Sequence, residues 1–442
     1  MNNIRSAYNI SIVFVRLVAG ALLSFYITSY LARSLGPENN GLFALTVLLP
    51  IMAVTFGGFG FSSAAVYFVG KQQYPLQEVL AKLVLVSVIT SLVVAVTCLA
   101  LPAYLWDLWL PGVPSYLINM GIAIIPALLI YTNLLAIIHG QQNFRKYGLI
   151  SILPNVVTVV LLHSFSGSIE KRLTFSIFSW GFGFLVATVF IVYSLRIEYE
   201  SFLKNLRLRS GLLRQVFLFG LKSYVGNLIT FLNYRLNFYM IGGLVGANAV
   251  GIYAVTVPIT EVIWILASAV STVIFPLIAL QSSRAEPNKN PTPVISRWVF
   301  IASCVAGLII GLMANFIVLK AFGPLYSEAV EAIYWLLPGA VLFSVSKVLS
   351  GDIAGRGRPD INLYITSLSL VINIVLCYCL IPKYGLNGAA MAVSLTYCSY
   401  TFVVSLIYSR LVNVHISELY IPTYDDCNFL YKICRKRLIE KD

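Results

Sequence analysis

Charge is scarce in this sequence. Asp, Glu, Lys and Arg together make up 11% of its 442 residues, whereas a soluble domain holds about 25%. The usual water-facing surface is missing, which excludes a soluble enzyme. The polar stretches are short; the longest are 196–215, 281–297 and the tail after Ser409, so no sizeable globular domain fits outside the apolar segments. Cysteine is present but never in metal-ligand spacing. Cys98, Cys304, Cys377, Cys379 and Cys398 fall in apolar stretches as small packing residues, and Cys427 and Cys434 in a basic tail expected in the reducing cytoplasm. No disulfide framework or metal centre is expected. His139 and His163 have no catalytic partner in view, and there is no nucleotide-binding loop, so no cofactor is expected.

What the chain does have is apolar length. Hydrophobic residues make up 59% of it, the mean hydropathy is +0.86, and runs long enough to cross a bilayer follow one another from Ser11 to Tyr408. The first apolar run continues past the core of a secretion signal without a small-x-small cleavage site before Leu31, and so reads as a retained span. The predicted fold is all-α and polytopic, with about twelve transmembrane helices in two six-helix bundles. The first bundle occupies 1–195, a cytoplasmic linker 196–215, the second bundle 216–409, and a basic cytoplasmic tail 410–442. Turn residues punctuate the spans in LGPENNG, KQQYP, LPGVP, GRGRP and PKYGLNG. The run GGFG (Gly57–Gly60) is expected to break or bend the second span. Pro50, Pro126, Pro154, Pro258 and Pro338 are expected to interrupt others.

The net charge of +13 is a topology signal rather than a sign of nucleic acid as partner. With both termini inside, the outer loops hold only Arg33, Lys171, Arg172, Lys320 and Lys383. Most other basic residues, Lys82 among them, are assigned to inner loops and the tail. That bias places both termini in the cytoplasm, where the excess charge faces anionic lipid headgroups.

The sequence also repeats. LGPENNGLFALTV (Leu35–Val47) matches VGANAVGIYAVTV (Val245–Val257) at an offset of 210 residues, bringing Gly36, Gly41, Ala44, Thr46 and Val47 onto Gly246, Gly251, Ala254, Thr256 and Val257. A repeat after six spans keeps its membrane orientation. It predicts two bundles related by an axis along the membrane normal, a plan that transporters use for alternating access.

The run ARSLGPENNGLFAL (Ala32–Leu45) resembles the signature of polysaccharide-export proteins in the multidrug/oligosaccharidyl-lipid/polysaccharide exporter superfamily. LNYRLNFYMIGGLVGANAVGIYAVTVPITEV (Leu232–Val262), VIFPLIA (Val273–Ala279), AFGPLYSEA (Ala321–Ala329), GRGRP (Gly355–Pro359) and LIPKYGLNGAA (Leu380–Ala390) resemble its later segments in order. The resemblance covers nearly the whole chain. It implies a flippase, not an enzyme, in the bacterial inner membrane. Such a flippase moves undecaprenyl-diphosphate-linked oligosaccharide, an O-antigen or other polysaccharide repeat unit, from the cytoplasmic to the periplasmic face. Its expected partners are that substrate, membrane lipids and polysaccharide polymerase or glycosyltransferase machinery, and the expected state is a monomer. Family members often carry an acid where this chain has Asn237, which departs from any mechanism needing a carboxylate there.

A lipid diphosphate must carry negative charge through a low-dielectric zone, so ionisable residues inside spans are the candidates. Arg16 and Lys222 each lie about two turns from the inner end of the first helix of their bundle. Arg16 maps onto Gly226, one turn from Lys222, and the two are expected to form a positive mouth for the diphosphate. Arg235, near the outer end of span seven, is a further substrate-binding candidate. Lys347, near the inner end of span ten, is expected to snorkel to the headgroups. Glu261 is the acid expected deep in a span; it could pair with a base, respond to protons or contact sugar hydroxyls. Asp352 is expected at a solvated helix end. Tyr26, Tyr131, Tyr224 and Tyr234 could stack on sugar rings. The alternative is a cation-coupled multidrug exporter of the same superfamily, which would need buried carboxylates that the first half lacks. A membrane glycosyltransferase or polymerase would need a larger outer loop than Pro102–Tyr116, whose one carboxylate is Asp107.

Overall fold

The computed structural model describes residues 2–71, 74–110, 112–165, 167–195, 211–283 and 291–421. Residues 196–210 of the expected linker, 284–290 and the tail beyond 421 lie outside the described residues, as does the side chain of Lys222.

Every long described element is a helix: α1 (Asn2–Gly57), α2 (Phe61–Lys71), α3 (Leu76–Ala100), α4 (Ala103–Trp109), α5 (Ser115–Gly140), α6 (Phe144–Ser164) and α7 (Ile169–Ser194). Then follow α8 (Gly211–Leu244), α9 (Ala247–Glu261), α10 (Trp264–Ser283), α11 (Thr292–Ile317), α12 (Glu328–Gly355) and α13 (Pro359–Val412). No strand occurs among the described residues. In lipid each backbone N–H and C=O must be satisfied within its own segment, and an apolar run of spanning length does so only as a helix. Leu92, Val93, Val96 and Leu99 on α3 and Leu308, Leu312 and Phe316 on α11 are exposed, forming apolar faces suited to lipid.

Eight of these helices are long and apolar enough to cross a membrane, and two bent pairs qualify as one span each. Two of the eight are far longer than a bilayer needs. α1 turns at Gly36 (φ 74°, ψ 171°) and α13 at Gly385 (φ 56°, ψ −130°), conformations that glycine adopts without a Cβ clash. Each therefore supplies two arms, and the set accommodates the twelve expected spans. The GGFG break is present: α1 stops at Gly57, Phe59 and Gly60 take positive φ, and α2 restarts at Phe61. Span eight is interrupted as well. A turn after Pro258, the chain bends by 54° between α9 and α10, in keeping with the i−4 hydrogen bond that proline removes.

Grouped by internal contacts, the chain forms two compact units, Met1–Val255 with Val318–Glu328, and Thr256–Ile317 with Ala329–Asp442. In the first, α5 lies centrally. Asn133 on α5 donates to Ser87 on α3 at 2.8 Å, and a Cβ on Gly183 of α7 would lie 2.6 Å from the Pro154 carbonyl oxygen of α6. Lys82, assigned to an inner loop from sequence, is only 3% exposed within α3, so it belongs to the helix packing. The second arm of α1 meets α9 backbone to backbone. A Cβ on Gly41 would sit 1.8 Å from the Ala247 carbonyl oxygen, and one on Gly251 would sit 1.8 Å from that of Pro37. Asn40 seals the crossing by donating to the Gly251 carbonyl at 3.2 Å. This contact ties the start of α9 to the first unit. The segment Val318–Glu328 docks on the first arm of α1, where Arg33 donates to the Ala321 carbonyl at 2.8 Å and Tyr326 to that of Ala32 at 3.1 Å.

In the second unit α12 is the central helix. Its Gly339 lies against Ser394 of α13 and its Gly351 against Ser271 of α10. Asp352 corrects an expectation: rather than facing solvent at a helix end it is fully buried, bonded to Arg356 and to the Tyr408 hydroxyl at 2.7 Å. The far arm of α13 folds back over the end of α12 and excludes water there.

Candidate functional site

The Arg16 site is built by α1, α5 and α6. α6 passes beside the arginine stem at Gly148, where a Cβ would make ordinary contact at 3.8 Å with the Arg16 Cβ, Cγ and Cδ. The residue before Gly148, Tyr147, and Ser151 one turn after it take up the head. The guanidinium carbon stands 4.9 Å from the Tyr147 ring centroid, and Nη1 reaches Ser151 Oγ at 3.5 Å, the outer limit of a hydrogen bond. Arg16 Nε is buried with no hydrogen-bond partner, and among the described residues no carboxylate pairs with Arg16. His139, in the last turn of α5, stacks on the same tyrosine at 4.6 Å and 20°. Tyr131 is buried close by and donates to the Ile150 carbonyl at 3.4 Å. A half-buried cation over an aromatic face and lacking a counter-charge among the described residues is a candidate site for an anion.

The other expected residues fall into separate settings. Lys222 lies on α8, its side chain outside the described residues. Arg235, also on α8, has its guanidinium 5.8 Å from the Phe238 ring centroid. Glu261 ends α9 at the bend, well inside the span that the bent pair of helices makes together. Within its own unit it acts electrostatically on Lys347. Lys347 departs from the snorkelling expectation. Its ammonium stands 4.9 Å from the Trp264 ring centroid and 5.3 Å from that of Phe343. Trp264 is fixed by donating to the Ala340 carbonyl at 3.0 Å, and Phe343 stacks on Tyr397 at 4.5 Å. This aromatic cage with a carboxylate beside it was not foreseen; its trace in the sequence is Trp264 three residues after Glu261, with Phe343 one turn before Lys347.

The candidate sugar-stacking tyrosines are engaged locally. Tyr26 shares a hydrogen bond with His163 at 2.8 Å, and Tyr224 donates to the Phe56 carbonyl at 2.8 Å.

The sequence profile of the polysaccharide biosynthesis protein family matches residues 6–281. The chain belongs to that family. The MatE profile also matches, over residues 223–379. Among relatives, the chain is 22% identical over 87% of its length to a Shigella flexneri protein named "Putative O-antigen transporter", covering 93% of it. It is 21% identical over 88% of its length to the capsular polysaccharide biosynthesis protein CapF of Staphylococcus aureus, covering 95% of it. Of solved structures, the lipid II flippase MurJ in an inward closed conformation superposes with a TM-score of 0.72 at 14% identity, over 92% of this chain and 89% of that one. An inward-facing MATE-family multidrug transporter gives 0.72 at 18% identity, over 90% and 98%. This member of the polysaccharide biosynthesis protein family thus has a multi-span transporter fold, and is not an enzyme.

Proposed function

We propose that the chain flips undecaprenyl-diphosphate-linked oligosaccharide, an O-antigen or similar repeat unit, from the cytoplasmic to the periplasmic face of the bacterial inner membrane. It works by alternating access between the bundles 1–195 and 216–409, as a monomer with both termini inside. The glycan would come from glycosyltransferases on one side and pass to a polymerase on the other. The observation that carries this reading is Arg16: a half-buried arginine with a buried, orphaned Nε and no carboxylate among the described residues, on an aromatic seat in a family whose relatives bear the names of polysaccharide transporters. Lys222 is its proposed partner in receiving the diphosphate. Arg235 serves a later station on the path, and Glu261 balances Lys347 beside the second-unit cage.

A cell lacking the gene should accumulate the lipid-linked glycan on the cytoplasmic face, and the wild-type chain should clear it. If no such lipid accumulates, the reading fails.

The MatE match and the MATE-like fold favour a second reading, cation-coupled drug export. It requires a free buried carboxylate for a cationic drug. Among the described residues, Glu261 is engaged with Lys347, and Asp352 with Arg356 and Tyr408. Sugar-lipid flipping therefore stands ahead.

A further inference from the structure

His139 is the residue nearest the Arg16 site that the flippase reading does not use. Three observations bear on it. Its ring lies against the Tyr147 ring that also carries the Arg16 guanidinium. Among the described residues neither of its ring nitrogens makes a hydrogen bond, although it is half-buried. The groups set against it are Arg16, which acts on it electrostatically, and Phe144 and Tyr147 of α6, whose rings lie against its own, with Arg145 and Lys146 in the first turn of that helix; of the other helices packed on α5, α2 ends at Lys71 and α3 carries Glu78 in its first turn and Lys82 in its second. Two nitrogen-bearing side chains thus share one tyrosine, both with unspent donors and neither bonded to a carboxylate among the described residues, an arrangement suited to an anion.

We propose that His139 is a second anion-binding residue of this site, resting on the reading that Arg16 receives the diphosphate. Tyr147 acts as the positioning residue that holds both rings. Arginine offers a fixed charge and a fork of donors at any working pH. Histidine adds a donor whose charge appears only at acid pH, because burial and the neighbouring Arg16 charge hold the His139 imidazole below its ordinary range until an anion arrives. Bound phosphate oxygens favour the imidazolium, so anion capture and proton uptake at His139 are linked. The ligand class is a diphosphate, free or lipid-borne. The site would grip it more tightly at the acid end of the physiological range and release it as His139 gives up its proton.

The test is titration of inorganic pyrophosphate into the purified full chain, for wild type, Arg16→Gln and His139→Gln, from pH 6 to pH 8. Undecaprenyl diphosphate in nanodiscs as a parallel ligand separates free from lipid-borne anion, and melting curves check folding. The wild-type to His139→Gln affinity ratio cancels the titration of pyrophosphate itself. That ratio should be about tenfold at pH 6 and under about threefold at pH 8, while Arg16→Gln weakens binding at every pH. Tyr147→Phe should keep the pH-dependent gain and Tyr147→Leu should abolish it, a second route if His139→Gln folds poorly. A ratio that stays flat with pH, with Arg16→Gln still weak, overturns the role of His139 alone. Unchanged binding in Arg16→Gln overturns the Arg16 reading as well.

Discussion

Gly41 and Gly251 are reciprocal partners: a methyl group on either would land 1.8 Å from a carbonyl oxygen on the helix that carries the other. The oxygens belong to Ala247 and Pro37, which are themselves one repeat offset apart, as are the two glycines. The crossing thus maps onto itself when the two repeat segments, Leu35–Val47 and Val245–Val257, are exchanged.

The crossing gives the first prediction. Gly41→Ala and Gly251→Ala should each destabilise the protein by about 1–3 kcal/mol, because backbone rather than a flexible side chain must move. Since both force apart the same pair of helices, the double variant should cost clearly less than the sum. Melting temperatures in detergent decide it, and strict additivity would speak against one shared crossing.

The Lys347 cage gives the second. Lys347→Met leaves Glu261 without its cation, and Glu261→Gln leaves the ammonium without its carboxylate. Both residues are partly buried, so leaving one charge without the other should cost about 1–3 kcal/mol, whereas removing both can be nearly neutral. Lys347→Met/Glu261→Gln should therefore be more stable than Lys347→Met alone. If the double variant is the least stable of the three, the two residues do not compensate one another.

A third prediction concerns Tyr408. Replacing it by Phe removes the 2.7 Å hydrogen bond to buried Asp352 and should cost about 1–3 kcal/mol, the penalty for under-satisfying a buried acceptor. Denaturation of Tyr408→Phe against wild type measures it; equal stability would mean Asp352 is satisfied without the tyrosine.

The spans, the GGFG break and the glycine turns are legible because each is a local property: a run of apolar residues or a missing Cβ. Proline is a poorer guide, since α1, α5, α6 and α12 run on through Pro50, Pro126, Pro154 and Pro338. The fate of individual charges is not legible. Asp352 was assigned to solvent from its distance to a helix end, but the residue that covers it, Tyr408, comes 56 positions later. Lys347 could run outward to headgroups or inward to aromatics, and only the packing of Trp264 against α12 selects between them. Arg16 stood out because a cation inside an apolar run is costly anywhere. Its seat on Tyr147 and the stacked His139 come from α5 and α6, and no spacing along the chain announces them.

Topology is tested by single cysteines placed in 196–215 in an otherwise cysteine-free chain. A membrane-impermeant maleimide should label them only after the inner membrane is opened. Labelling of intact cells would invert the orientation and put Arg16 near the wrong face.

The most direct measurement of the central claim is the sidedness of lipid-linked glycan in cells whose only copy of the gene encodes Arg16→Gln. Loss of a charged contact in a poorly solvated site costs on the order of 2–5 kcal/mol, so glycan exposed on the periplasmic face should fall by well over tenfold. Arg16→Lys should restore part of it through the charge without the fork, with protein levels unchanged in both. Normal periplasmic glycan in Arg16→Gln, from protein of normal abundance, would contradict the account.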